Sequence, residues 1–284
     1  MLINENALLG GNKKMDVLYK SQNEKENGIT TIQSIDQENS PLKYTAVKAL
    51  KLDEGATYTE VLDGWEACVV AQVGKVTVKA SDEVFENIGQ RTALFEKIPT
   101  DSVYVNRNQE ITIEAITDAQ VVIAYAPSDK DLPTKLIAAD DIRPEHRGKY
   151  SNQRLALTIL GDDDDFADSL LVVEVFTDSG NWSSYPPHKH DQNNLPEESF
   201  LEEIYYHEVN PPQGFVFQRI YTEDRSIDET NTVENKDSVI VPAGYHPVAV
   251  PDGYDSYYLN VMAGPVRAWN FHNEKDHEWI LDRD

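Results

Sequence analysis

Runs of β-forming residues recur along most of this chain, and turn residues separate one run from the next. EACVVAQV, KVTVKA, EITIEAI and QVVIAYA precede residue 127, and LALTIL, SLLVVEVFT, GFVFQRIYT and SYYLNVMAG follow residue 152. Short strands at this spacing are typical of sandwiches and barrels, whereas helical periodicity is scarce. The sequence therefore predicts an all-β fold.

A charged segment with three prolines, residues 127–152, separates the two groups of runs. Because prolines and charges interrupt strand patterns, we interpret this segment as an ordered connector. The β pattern is similar on its two sides, which predicts two antiparallel β-barrel domains of the jelly-roll type. Their expected boundaries are residues 1–135 and 136–284.

The chain carries a strong excess of acidic residues. Asp and Glu number 50 against 25 Lys and Arg, so the net charge is −25. This charge excludes nucleic acid and anionic membrane surfaces as expected partners. A small anionic ligand remains compatible with it, because a local Arg or Lys outweighs distant charges beyond a Debye length of about 10 Å.

The sequence also carries signals about its compartment. A single cysteine, Cys68, excludes a disulfide within the chain. The start, MLINENALLGG, lacks the basic and apolar stretches of a signal peptide, and no apolar run approaches the roughly 20 residues that cross a bilayer. We expect a cytoplasmic protein, and association into a homo-oligomer stays open.

A stretch in the second half carries the residues of a metal site. His188 and His190 are one residue apart after two stiff prolines, so on a strand they share a face. Glu203 opens the next β-like run, and His246 follows in VIVPAGYHPVAV. Three imidazoles and a carboxylate suit one divalent ion, zinc first, with Mn, Fe or Ni as alternatives. A register slip of one residue would exchange Glu203 for Glu202, so this choice stays open.

Four motifs here resemble one known family. GNWSSYPPHKHD, LEEIYYH, VIVPAGYHPV and WNFHNEKDHEWI are similar to motifs of the 5-deoxy-glucuronate isomerase family of bacterial inositol catabolism, within the cupin superfamily. A weaker match extends over most of the chain, including EKIPTDSVYV and RPEHRGKYSNQR. The resemblance implies a bicupin that converts 5-deoxy-D-glucuronate to 5-dehydro-2-deoxy-D-gluconate. By residue match, it implies His188, His190, Glu203 and His246 as the metal ligands.

Such a reaction suggests roles for three further residues. Moving a carbonyl from C1 to C2 requires a base that reaches both carbons. Glu174 is the first candidate, because it interrupts the apolar run SLLVVEVF, and Tyr205 is a second candidate as acid or hydrogen-bond donor. Arg219, in FVFQRIY, is expected to bind the carboxylate of the uronate substrate.

Three other functions fit the same pattern. The nearest is an isomerase of 4-deoxy-5-hexosulose uronate, which shares the His-x-His chemistry on a bicupin. Iron-dependent dioxygenation would also use three histidines and a glutamate, and oxygen consumption would identify it. A non-enzymatic sugar-binding cupin would hold its metal in a closed coordination sphere.

Overall fold

A computed structural model of the protein describes residues 16–283. The first strands are β1 Leu18–Tyr19, β2 Glu24–Glu26, β3 Ile29–Ile35, β4 Ala46–Leu52, β5 Thr57–Val61, β6 Trp65–Val73, β7 Val76–Ala80, β8 Glu83–Ile88, β9 Ser102–Val105, β10 Glu110–Ala115, β11 Ala119–Pro127 and β12 Lys135–Ile137. The later strands are β13 Pro144–Arg147, β14 Arg154–Leu160, β15 Leu171–Thr177, β16 Trp182–Ser183, β17 His188–Lys189, β18 Asp191–Asn194, β19 Glu198–Phe200, β20 Glu202–Asn210, β21 Phe215–Tyr221, β22 Asp228–Glu234, β23 Ser238–Val241, β24 Val248–Ala249, β25 Asp255–Ala263 and β26 His272–Asn273.

The helical content of the described range is limited to short 3₁₀ turns. They lie at Leu94–Glu96, Ala139–Asp141, Tyr150–Asn152 and Lys275–Asp282. The prediction of an all-β chain is confirmed. Within residues 16–283, no helix has the length and apolar character needed to cross a membrane.

Two pairs of sheets with matching strand orders make up most of the structure. The N-terminal pair consists of a seven-stranded sheet, β12-β9-β6-β11-β4-β3-β2, and a four-stranded sheet, β5-β10-β7-β8. The C-terminal pair consists of a seven-stranded sheet, β1-β23-β20-β25-β15-β14-β13, and a four-stranded sheet, β16-β24-β21-β22. Position by position, β12 corresponds to β1, β6 to β20 and β11 to β25. The two sheet pairs therefore repeat one topology.

The two pairs exchange one edge strand each. β1 lies at the N-terminal end of the chain but pairs with β23, with Leu18 opposite Val239. β12 leads into the second half but pairs with β9 in the first, with Leu136 opposite Val103. Each large sheet is therefore completed by the strand that precedes the strands of the other pair.

Two hydrophobic cores account for the continuous apolar runs. One fills the space between the N-terminal seven- and four-stranded sheets and contains Leu50, Val69 and Ile111. The other continues from the opposite face of that large sheet, through residues such as Val122, into the C-terminal pair, where it includes Phe176. Because β6 and β11 are buried on both faces, they lack the apolar and polar alternation of a half-exposed strand. Each fully buried aliphatic side chain stabilises the fold by about 1.5–3 kcal/mol.

Buried carboxylates connect the two halves within this second core. Glu174 on β15 receives two hydrogen bonds from the guanidinium of Arg91, at 2.7 and 2.6 Å, and a third from the hydroxyl of Tyr257 at 2.8 Å. Glu66 on β6 accepts the backbone N–H groups of residues 168–170 and the hydroxyl of Tyr104. Such carboxylates are tolerated in a core because every oxygen is hydrogen-bonded.

Candidate metal centre

Strand β17 orients the histidine pair. His188 lies on this short strand and His190 follows it, while the side chain of Lys189 between them points to the opposite side. There Lys189 Nζ donates to Asp191 at 2.8 Å and to Glu198 at 2.9 Å. Strand alternation therefore places both imidazoles on one face and the buried ammonium group on the other.

The third imidazole and the carboxylate come from different strands. One ring nitrogen each of His188, His190 and His246 lies within 4.8 Å of the other two. Glu203 on β20 adds Oε2 at 3.1 Å from His190 Nε2 and 3.2 Å from His246 Nε2. The neighbouring Glu202 faces away and accepts the backbone N–H groups of residues 43 and 44. Of the two carboxylates, that of Glu203 therefore faces the histidines.

Backbone carbonyl groups fix which ring nitrogen carries the proton. His190 Nδ1 lies 3.0 Å from the carbonyl of Leu201, and His246 Nδ1 lies 2.9 Å from that of Gly244. A carbonyl only accepts, so both Nδ1 atoms donate. His246 Nε2 has no hydrogen-bond partner among residues 16–283, and in the neutral ring its lone pair faces Glu203. A buried acceptor facing a carboxylate is unfavourable unless a cation lies between them, so this donor set fits a divalent metal ion.

Burial and charge shift the pKa values of these candidate ligands. Burial, together with the positive charge of a protonated His190, lowers the pKa of His188 to about 3. The pKa of His246 also falls to about 3, mainly through burial. Burial alone would lower the pKa of His190, but the hydrogen bond and charge of Glu203 raise it. His188 and His246 are thus neutral near pH 7, as metal ligation requires.

Two polar side chains support the ligands. The amide of Asn260 donates to Glu203 Oε1, which orients the carboxylate toward the histidines. The hydroxyl of Tyr205 is 2.9 Å from that of Ser184, and the Tyr205 ring lies beside that of His246. Burial, and next the charge of Glu203, raises the pKa of Tyr205 well above its usual value. Tyr205 therefore keeps its proton and can donate a hydrogen bond.

A small cavity of about 50 Å³ opens beside the ligands. It is also lined by Arg147, Arg154, Tyr258 and Trp269, and two of these, Arg147 and Trp269, also line a wider cavity of about 610 Å³. No role was predicted from the sequence for these four residues or for Asn260. A signal was present, because RPEHRGKYSNQR contains both arginines and β25 alternates Tyr258 with Asn260.

The structure does not bring Glu174 to this centre. Its neighbours Val173 and Val175 line the cavity, so Glu174 points through the opposite face of β15 toward Arg91. The sequence-based assignment of Glu174 as the base expected it on the face of the strand that carries the site, and this structure places it on the other face. The ion pair with Arg91 accounts for the presence of this carboxylate in an apolar strand.

Arg219 also lies away from the ligands. Its side chain is 43% exposed, forms two hydrogen bonds to Asp228 at 2.8 and 2.9 Å, and stacks on Tyr221. The adjacent Gln218 points inward instead, where its Oε1 is 2.9 Å from His207 Nε2. The phase of β21 therefore does not bring Arg219 to the histidine cluster.

The cluster lies wholly within the second half of the chain. The first histidine in the sequence is His146, so residues 1–145 contain no imidazole. Tyr205 is the non-ligand candidate from the sequence that the fold brings to the cluster.

This chain is similar to a known protein family over nearly its whole length. A family model described as the KduI/IolB family matches residues 17–280. A 5-deoxy-glucuronate isomerase from Bacillus subtilis (strain 168) is 60% identical over 268 residues, which cover 94% of this chain and 99% of that protein. The crystal structure of an IolB-like protein from Salmonella typhimurium LT2 is 47% identical, with a TM-score of 0.89 over 94% of this chain and 99% of that chain.

A more distant solved structure shares the fold alone. The oxalate decarboxylase of Lactobacillus farciminis, in its formate complex, is 12% identical, with a TM-score of 0.66 over 95% of this chain and 91% of that chain. The fold is thus like that of cupin proteins. Because the family model spans nearly all described residues and a relative at 60% identity covers 94% of the sequence, this chain belongs to the KduI/IolB family.

Proposed function

We propose that this protein is a metal-dependent aldose–ketose isomerase that converts 5-deoxy-D-glucuronate to 5-dehydro-2-deoxy-D-gluconate in myo-inositol catabolism. One observation carries the proposal: ring nitrogens of His188, His190 and His246 lie within 4.8 Å of one another, and Glu203 Oε2 is 3.1 and 3.2 Å from two of them. They do so in a chain that is 60% identical to a 5-deoxy-glucuronate isomerase. Three imidazoles with one carboxylate form a donor set that suits a divalent metal ion acting as a Lewis acid.

The proposed architecture is a bicupin with residues 1–135 and 136–284 as its two jelly-roll barrels. The matching strand orders of the two sheet pairs support this division. Only the second barrel would hold metal, and the first would contribute packing against it. The exchange means that β1, from the first range, pairs into the second barrel, and that β12, which spans the boundary at residues 135–137, pairs into the first.

We propose zinc as the bound ion, with Mn, Fe or Ni as alternatives. His188, His190 and His246 would bind through ring nitrogens and Glu203 through a carboxylate oxygen. When bound, such an ion supplies a Lewis acid that polarises the carbonyl and hydroxyl oxygens of the substrate. Asn260 would hold the Glu203 carboxylate in its ligating orientation.

The chain's own residues would direct the proton movements. Isomerisation removes the proton from C2 and returns one to C1, while a proton moves between the two oxygens. Tyr205 remains protonated because its pKa is raised, so its hydroxyl would donate a hydrogen bond to a substrate oxygen. Val173 and Val175 form an apolar wall of the cavity, which would keep water away from the reacting carbons.

The test combines metal analysis with an isomerisation assay. The purified protein is expected to hold one divalent ion per chain and to isomerise 5-deoxy-D-glucuronate. His190→Ala should lose both metal and activity, while His277→Ala, at the surface, is the matched control that should keep them. Full metal occupancy in His190→Ala would contradict the ligand set.

Parallel assays separate the alternatives. 4-deoxy-5-hexosulose uronate is offered as a competing substrate, and a higher kcat/KM for it would overturn the proposed substrate. Oxygen uptake during turnover would indicate a dioxygenase. Bound metal without turnover of either uronate would favour a sugar-binding protein.

A further inference from the structure

We infer that Arg154, with Arg147 opposite it, binds the carboxylate of the substrate at the metal centre. This inference rests on the proposed function and deepens it, because it assigns the group that distinguishes a uronate from a neutral sugar. It also replaces Arg219, whose guanidinium is held at the surface by Asp228.

Adjacent strands place the two arginines together. Arg147 ends β13 and Arg154 begins β14, and their Cα atoms are direct partners in the antiparallel register. Directly opposite residues project to the same face of a sheet. Both side chains line the cavity that contains His188, His190 and Glu203. A ligand bound at the histidines therefore lies beside both guanidinium groups.

The charges around Arg154 favour an anion. Its guanidinium donates to the backbone carbonyl of Asn152 at 2.9 Å, and within residues 16–283 no carboxylate forms an ion pair with it. Burial, together with the charge of Arg147, lowers the pKa of Arg154. Arg147 pairs with Glu145 at 2.6 Å, but Glu145 is 52% exposed and solvent weakens that pair.

Two arginines directly opposite each other are unusual in so acidic a protein. Like charges directly opposite on neighbouring strands destabilise a sheet, and the chain carries 50 acidic residues that could have neutralised the pair. The cavity instead presents guanidinium groups beside a carboxylate, Glu203, which faces the histidines. A substrate carboxylate would relieve the repulsion and satisfy the free donors of Arg154, with the fork geometry that a guanidinium offers.

The loop between the two arginines is shaped around the Arg154 guanidinium. Gly148 has a φ of +88°, and a Cβ atom there would lie 2.0 Å from the Asn152 carbonyl and 2.8 Å from Arg154 Nη1. Glycine is therefore required for the chain to pass this close. The side chain of Asn152 closes the loop by accepting the N–H of Lys149 at 2.8 Å. Arg154 is thus held in place before any ligand arrives.

The test compares a charged substrate with a neutral analogue. Wild-type protein, Arg154→Met and Arg154→Lys are assayed with 5-deoxy-D-glucuronate and with its carboxamide. Arg219→Met serves as the control, since it removes the same charge from an exposed site. We expect Arg154→Met to lower kcat/KM for the acid by about 100-fold, the loss typical of a charge-assisted pair, and to leave the value for the amide within about threefold. The kcat/KM of Arg154→Lys for the acid should lie between those of wild type and Arg154→Met, because lysine keeps the charge but loses the forked guanidinium geometry.

Metal content and thermal unfolding are measured on the same samples. Arg154→Met should retain metal as the Arg219→Met control does; if it does not fold, Arg154→Lys carries the comparison. An active wild-type enzyme whose preference for the acid survives in Arg154→Met would overturn this inference alone. An inactive wild type would overturn the proposed function instead.

In that case, calorimetric titration of the metal-loaded proteins with D-glucuronate tests the anion site. Equal affinity of wild type and Arg154→Met for D-glucuronate would refute the site.

Discussion

At the scale of single residues, His207 is a buried group whose charge state makes the fold sensitive to acid. It lies fully buried on β20, with Nε2 bonded to Gln218 and with Nδ1 lacking a hydrogen-bond partner in residues 16–283. Burial lowers its pKa to about 4, although the hydrogen bond that Nε2 donates to Gln218 Oε1 partly opposes that shift. The folded protein therefore holds this imidazole neutral over a pH range where an unfolded chain protonates it.

The sign of the effect on stability follows directly. An unfolded histidine takes up a proton below a pKa of about 6.5, so acid favours the unfolded state until the folded pKa is reached. Between pH 7 and pH 5, His207 should remove about 2 kcal/mol of stability. In His207→Gln, this contribution to the loss of stability between pH 7 and pH 5 should be absent. Urea unfolding of both proteins at the two pH values, with chelator present throughout, measures the difference; an equal loss in both would contradict it.

At the scale of one element, the strand β17 depends on a buried ion network beneath the histidines. Lys189 is 1% exposed and pairs with Asp191 and Glu198. Asp191 also accepts the N–H of Gly244 at 2.9 Å, which connects this strand to the turn that carries His246. The network therefore positions ligands that come from two separate segments.

Removing Lys189 should affect metal binding without touching a ligand. Lys189→Met leaves two carboxylates without their cation, and breaking a buried pair in this way costs about 3–5 kcal/mol. We expect metal affinity to fall about 10–100-fold, as for other residues that orient ligands. Competition with a chelator measures the affinity. Lys20→Met, which removes a half-exposed lysine, is the control, and equal affinities in the two variants would argue against the network.

The same element shows what sequence patterns can predict. The His-x-His spacing fixes the relative orientation of two residues within one strand, so His188 and His190 were placed correctly on a common face. Glu174 and Arg219 required the absolute phase of β15 and β21, which depends on pairing with distant strands. A shift of one position exchanges Glu174 with Val173 or Val175, and Arg219 with Gln218. Periodicity alone contains no information about that choice.

At the scale of the whole molecule, the Arg91–Glu174 pair stabilises the contact between the two halves. Both side chains are fully buried. Glu174→Gln should lower the free energy of unfolding by about 3 kcal/mol, because it leaves the Arg91 charge without its partner. The folded, metal-loaded variant should retain kcat within about threefold of wild type. Denaturation and steady-state kinetics on one preparation check both expectations.

Two further results would distinguish a structural role of Glu174 from a catalytic one. The double variant Arg91→Met/Glu174→Met should recover part of the lost stability, because it removes both charges together. A loss of about 10²–10⁴-fold in kcat with unchanged stability would instead restore Glu174 as a catalytic acid–base group.

The overall β architecture was predictable, but its strand pairing was not. Apolar runs such as ACVVAQV in β6 indicate buried strands from local composition. The pairing of β1 with β23 joins residues more than two hundred positions apart, and no turn or motif near Leu18 specifies that partner. Long-range pairings of this kind are set by the completed sheets and not by the segment itself.

Through the exchange of β1 and β12, the two halves of the single chain are related like two subunits that have swapped an edge strand. Suppose the backbone were cut between β11 and β12. The upstream fragment would then keep β1, whose partner β23 is downstream, and the downstream fragment would keep β12, whose partner β9 is upstream. Each fragment would present an open sheet edge together with the strand that closes the other's edge. The two fragments are thus complementary. The two exchanged strand pairings hold the halves of the molecule together in addition to the covalent connector.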